Sequence, residues 1–291
     1  MAEGSEIVRA LSRRYPQLLL PIARGMSQTE QYRRAVLRGV LPDADPVIAG
    51  SASDSFETVR TEFGSVGIWY LAHREDFVRA VQALAHRCEP VALPASVGAQ
   101  YIGGLVNWET IRAHRAQYLA AGGGDWSREL RRFAADRSCC TDCLILLGSG
   151  FYSDVPAQEA SLPERTWREA SLRIRKYHEL THFVYRRAYP GDVDAVRDEV
   201  LADCVGLLAA FGRYDSRLAR RVLGICGGGV LPGGRLRHYV PEEALPAAVH
   251  RACFWIDALS RTASLVPIRP GEAFEPFFLS EAGKNEFTLP E

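Results

Sequence analysis

Residues 164–203 read ERTWREASLRIRKYHELTHFVYRRAYPGDVDAVRDEVLAD, two helical stretches separated by one break. Ser161 and Glu164 have the spacing of a capping box and Pro163 is tolerated in a first turn, so a helix is expected to start here and continue to Tyr189. Pro190-Gly191 stops it. Inside that helix stands His178-Glu179-Leu180-Thr181-His182. Four residues advance a helix by about 400°, which puts the two imidazoles on one face roughly 6 Å apart along the axis, within reach of one shared cation. Glu179 is turned about 100° from His178, where it can reach a water on the cation without binding the cation itself.

Catalytic zinc usually takes three protein ligands, and two imidazoles leave the set one short. The second stretch carries Asp198-Glu199-Val200-Leu201-Ala202-Asp203, with Glu199 and Asp203 one turn apart. A reversal at Pro190-Gly191 predicts an antiparallel helix pair that brings Glu199 back to the imidazoles as third ligand. Asp203 is then placed to accept a hydrogen bond from a ligand histidine. Other assignments compete. Asp203 could replace Glu199 as the direct ligand. Glu199 and Asp203 could instead pair with Arg197 or Arg186 on a solvated face, leaving HExxH as a chance run. Glu179-x-x-His182 is also half of a carboxylate-bridged di-iron site, but the second ExxH that such bundles need does not occur in the chain.

An HExxH helix followed by a helix carrying ExxxD resembles the gluzincin type of zinc metallopeptidase, here over residues 178–203. The resemblance implies a zincin-like fold and one Zn2+ per chain held by His178, His182 and Glu199. It also implies Glu179 as general base, Asp203 as the support of a histidine ligand, and a His or Tyr beyond the third ligand that donates to the developing oxyanion. His238 and Tyr239, which follow the glycine-rich residues 227–234, are the candidates for that last role. The plainer reading makes them a surface pair beside Arg235 and Arg237.

The rest of the composition frames this motif. The chain has 291 residues, enough for one large domain or two modest ones, with 47% hydrophobic and 24% charged residues, near globular averages. Lys+Arg and Asp+Glu both number 35, and a net charge of zero argues against a nucleic-acid partner. Only Lys176 and Lys284 are lysines, an arginine bias that fits a GC-rich, bacterial genome. No apolar run approaches the roughly 18 to 20 residues of a membrane span, and the first 15 residues lack the pattern of a secretory signal. Seven cysteines, an odd number in a chain with room for a large core, fit a reducing compartment. A cytoplasmic location is expected. Cys139, Cys140 and Cys143 cluster, but a second CxxC is missing and they read as packed thiols. Neither phosphate-loop glycine pattern occurs.

Residues 66–71 and 143–147 read as strands, and 73–86, 126–135, 193–211, 216–225 and 241–262 as helices. Gly103-Gly104 is expected to open a helix running to Tyr118. The tail after Pro267 is expected to pack as an extended segment. The fold class expected is therefore α+β: a sheet-containing N-terminal part, residues 1–104, and a part carrying the metal site, residues 105–291. The expected function is zinc-dependent hydrolysis of a peptide or small amide. A metal-dependent enzyme acting on another small molecule in specialised metabolism is the alternative. A metal-stabilised binding module, with Cys204 closing the fourth position, is the third reading. The sequence leaves the oligomeric state open.

Overall fold

The computed structural model describes residues 3–191 and 194–263, and the chain folds as two compact units. The first comprises Met1–Leu93 and Gln100–Ser149. Its elements are α1 (Glu3–Arg14), α2 (Glu30–Tyr32), β1 (Ser55–Thr61), β2 (Gly64–Leu71), α3 (Arg74–Leu84), β3 (Ala99–Val106), α4 (Trp108–Ala120), α5 (Trp126–Phe133) and β4 (Thr141–Gly148). The strands form a mixed sheet in the order β1-β2-β4-β3. β1 and β2 are an antiparallel hairpin with Phe56 opposite Trp69. β2 and β4 run parallel, Ile68 opposite Ile145. Leu144–Leu147 are all buried, which explains a continuous apolar run where a half-exposed strand would alternate. Trp69, Phe77, Val81, Leu144 and Leu146 pack with Tyr15 and Leu18 in one core.

Pro94–Ala99 joins the second unit, which otherwise begins at Gly150. Here lie α6 (Glu164–Ala188), α7 (Ala195–Phe211), α8 (Ser216–Val222), the small hairpin β5 (Ile225–Cys226) and β6 (Gly229–Val230), and α9 (Leu245–Ala263). α6 buries Trp167, Ala170, Ile174, His178, Thr181, His182 and Tyr185, a stripe at helical spacing. α7 is buried almost all round, as befits the central helix of a bundle. Asp194 caps its first turn by accepting from the Val196 and Arg197 amides, and Gly212, at φ 67°, ends it. Where α7 crosses α6, a Cβ added to Gly206 would come within 2.8 Å of the Ile174 carbonyl oxygen. Gly206→Val is therefore expected to force the helices apart and lower stability by about 2 kcal/mol or more, read from denaturant unfolding. An unchanged midpoint would show that the helix contact yields at no cost.

Four expectations are corrected. Gly103-Gly104 lies inside β3, not at a helix start; Gly104 takes φ 72° within the strand, and the helix begins only at Trp108, capped by Asn107. There is no capping box at Ser161: its φ is 56°, α6 starts after Pro163, and no side chain caps it. Residues 223–226 leave the helical path because Gly224, at φ 80°, turns the chain into β5. The units part after Ser149 rather than at 104/105, because residues 100–149 supply β4 and nearly all of β3 to the N-terminal sheet. The tail beyond Pro267 lies outside the described residues. Among those described, no helix is long and apolar enough to cross a membrane.

Candidate metal centre

α6 and α7 pack against each other, and this contact assembles the centre. His178, His182 and Glu199 are all buried, with one ligand atom of each within 4.8 Å of the others. The two Nε2 atoms stand 3.1 Å apart. Glu199 straddles them, Oε2 at 3.4 Å from His178 Nε2 and Oε1 at 3.4 Å from His182 Nε2. Ligands 2.0 to 2.1 Å from a tetrahedral zinc lie about 3.3 Å from one another, close to the spacing between the two Nε2 atoms and between each of them and its nearer Glu199 oxygen.

The outer nitrogens strengthen the case. His178 Nδ1 lies 2.9 Å from Asp203 Oδ1, and His182 Nδ1 lies 3.0 Å from Asp198 Oδ1. A carboxylate accepts and cannot donate, so each imidazole places a proton on Nδ1 and turns the Nε2 lone pair inward. Two lone pairs and a carboxylate then face one another in a buried space, an arrangement that calls for a cation. Glu199 Oε2 has no hydrogen-bond partner, as a ligand atom facing a metal would. Without a metal, protons take its place. Burial lowers the His182 pKa, but hydrogen bonds to Asp198 and Glu199 outweigh it and raise it to about 10. His178 is raised by Asp203 and Glu199 against the same burial penalty. Burial raises Glu199, yet the two imidazoles hold it well below the usual carboxylate range.

A second layer surrounds Asp203. Tyr152 donates to Asp203 Oδ1 at 2.5 Å and stands 3.0 Å from His178 Nδ1. Arg235 donates to Asp203 Oδ2, to the Tyr152 hydroxyl at 2.7 Å and to Ser153 Oγ at 3.1 Å. Asp203 is fully buried, and burial alone would raise its pKa; Arg235 and His178 hold it below the usual value. Asp198 is tied in turn to Arg186 at 3.1 Å.

Beside the ligands opens a recess of about 90 Å3 with His178, Glu179 and Tyr152 in its wall. His238 and Tyr239 reach the same recess, both from the turn that follows the hairpin loop. Burial, followed by the nearby Glu199 carboxylate, pushes the Tyr239 phenol well above 10 despite Arg235.

Every residue predicted for the site is thus in or beside it. Arg186 binds Asp198 and Arg197 donates to Tyr185, so the reading of Glu199 and Asp203 as partners of these two arginines is replaced by imidazole contacts. Asp203 meets Nδ1 and not the inward Nε2, so Glu199 is the carboxylate that faces both Nε2 atoms. Cys204 does not join the ligand group; it packs in the apolar core, and burial pushes its thiol up. Cys139, Cys140 and Cys143 form no disulfide around the start of β4; Cys140 is buried as expected of a packed thiol, whereas Cys139 is exposed. Sequence reasoning gave no role to Asp198, Tyr152, Arg175 or Arg235. Asp198 was within reach, since it lies next to Glu199 in sequence, but Tyr152 and Arg235 sit in irregular turns with no periodicity to place them.

Removing an orienting carboxylate typically weakens metal binding 10- to 100-fold. Asp203→Asn is expected to fall in that range in a chelator titration, and Glu199→Gln to lose more. The opposite order would make Asp203 the direct ligand.

These features define a mixed α+β protein with a buried His-His-Glu group able to hold a metal ion. The chain belongs to a family of unknown function, DUF7005, whose model matches residues 1–260. No curated protein and no solved structure matches it.

Proposed function

We propose that the protein is a zinc-dependent hydrolase of amide bonds, of the zincin-like kind that the HExxH and ExxxD pattern resembles. The observation that carries this reading is the pair of Nε2 lone pairs and the Glu199 carboxylate converging in one buried space while both Nδ1 atoms are held by carboxylates. Zinc in such a donor set supplies Lewis acidity, which polarises a carbonyl and makes water a nucleophile near neutral pH. His178, His182 and Glu199 would hold it. Three protein ligands leave room for water, and this favours catalysis over a closed binding module.

Glu179 lines the recess beside His178 without belonging to the ligand group. It takes a proton from the attacking water and returns it to the leaving nitrogen, while the water oxygen bonds to the carbonyl carbon and the C–N bond breaks. Tyr239 and His238 stand on the recess wall as donors toward the oxyanion. The small volume of the recess favours a small amide over a long peptide. The test is hydrolysis of N-acyl amino acids and short peptides by zinc-loaded protein, with loss on chelation and return on adding zinc. A metal-bound protein that cleaves neither would overturn the reading.

A further inference from the structure

We propose that the recess beside His178 and Glu179 binds a carboxylate, so that the substrates are small amides bearing a free carboxylate close to the scissile bond, N-acyl amino acids among them. This rests on the hydrolase reading above and specifies its substrate class. Three observations support it. First, two guanidiniums line the recess, Arg175 and Arg235, only 3% and 8% exposed, against a single carboxylate, Glu179, which the chemistry already occupies. Arg175 lies three residues before His178 on α6, so it shares the helix face that presents the first imidazole. Its position is closely set: its two terminal nitrogens donate to the Gly150 carbonyl at 2.8 Å and to the Phe151 carbonyl, each keeping a second N–H, and a Cβ on Gly98 would meet its Nε at 2.4 Å.

Second, Arg235 retains donor capacity. Its two terminal nitrogens serve Asp203, Tyr152 and Ser153, and its Nε has no hydrogen-bond partner. Third, the recess offers little else to recognise. Among the described residues Val97 and Ala99 are its only aliphatic side chains, beside the rings of Tyr152 and Tyr239, so a bulky aliphatic group would find little matching wall. A volume of about 90 Å3 admits a few heavy atoms, and a carboxylate is the smallest organic anion that a guanidinium pairs with through two parallel hydrogen bonds.

The experiment compares three hydroxamates by calorimetry on zinc-loaded protein. Propionohydroxamate chelates the metal only; N-hydroxysuccinamic acid adds a terminal carboxylate; N-hydroxysuccinamide carries the neutral amide in its place. The carboxylate probe is expected to bind at least about tenfold more tightly than the amide, as a charge-assisted hydrogen bond implies. In Arg175→Gln this advantage should shrink to within about twofold while propionohydroxamate affinity is kept, which also reports that the fold and metal survive. Equal binding of the two succinyl probes by the wild-type protein overturns the carboxylate subsite, with no variant needed. A carboxylate advantage that persists in an Arg175→Gln protein with intact propionohydroxamate binding overturns the role of Arg175. If zinc is bound and no hydroxamate binds, the open metal site itself is wrong, and the substrate class falls with it.

Discussion

Glu179→Gln is expected to retain zinc, fold and ligand binding while turnover falls by about 100- to 10,000-fold, the usual contribution of a positioned general base. The amide occupies nearly the same volume as the carboxylate but cannot accept the water's proton. Glu179 sits in the recess wall beside His178 and outside the ligand group, so the change reaches the chemistry without touching the metal. Steady-state rates on an amide substrate, with zinc content measured on the same sample, separate the two. Retained activity in a zinc-bound Glu179→Gln protein would exclude this base and with it the proposed hydrolytic mechanism.

The second large effect concerns the metal. Protein purified in zinc-replete buffer is expected to contain about one zinc per chain by elemental analysis, and the Glu199→Ala protein far less. A site saturated at a thousand times its dissociation constant stabilises the fold by about 4 kcal/mol, so chelation should lower the unfolding midpoint by on the order of 10 °C. The pH dependence has a definite sign. In the metal-free protein His182 holds a proton up to about pH 10, and zinc must displace it. Lowering the pH strengthens the competing proton, so zinc affinity should fall toward acid and rise toward alkali. Zinc content unchanged in Glu199→Ala, or no zinc after replete purification, would remove the site.

The His178, His182 and Glu199 group was legible in the sequence because its members lie on two regular helices. Period and spacing alone put His178 and His182 on one face, and the ExxxD pattern singled out Glu199 and Asp203 on the next helix. The strands at 66–71 and 143–147 were legible for a similar reason, each a short apolar run between turn residues. β1 was not, since its exposed polar positions gave no clear alternation. The helix expected at Gly103 failed because a paired glycine looks alike in a helix break and in a strand that bends at Gly104. Ser161 failed as a cap because spacing alone carries no information about its left-handed backbone. Tyr152 and Arg235 reach Asp203 from turns far away in the chain, and only tertiary structure places them. Arg175 could have been found: a residue three before a ligand histidine shares its face.

The return of residues 94–99 to the second unit has a consequence for how such a protein can diversify. Under the proposed function the ion depends on α6 and α7, through His178, His182 and Glu199 and through Asp198 and Asp203, which hold the outer imidazole nitrogens. The wall of the recess is shared: Arg175, His178 and Glu179 come from α6, whereas Ser96–Ala99, Tyr152 and the turn at Arg235, His238 and Tyr239 lie outside both helices. Under the proposed function, substitutions within Ser96–Ala99 alter what enters while leaving the ligands in place, whereas Arg235 also holds Asp203, so a change there reaches His178. Under the same reading, the substrate accepted can change through Ser96–Ala99 while the residues proposed to hold the ion stay fixed.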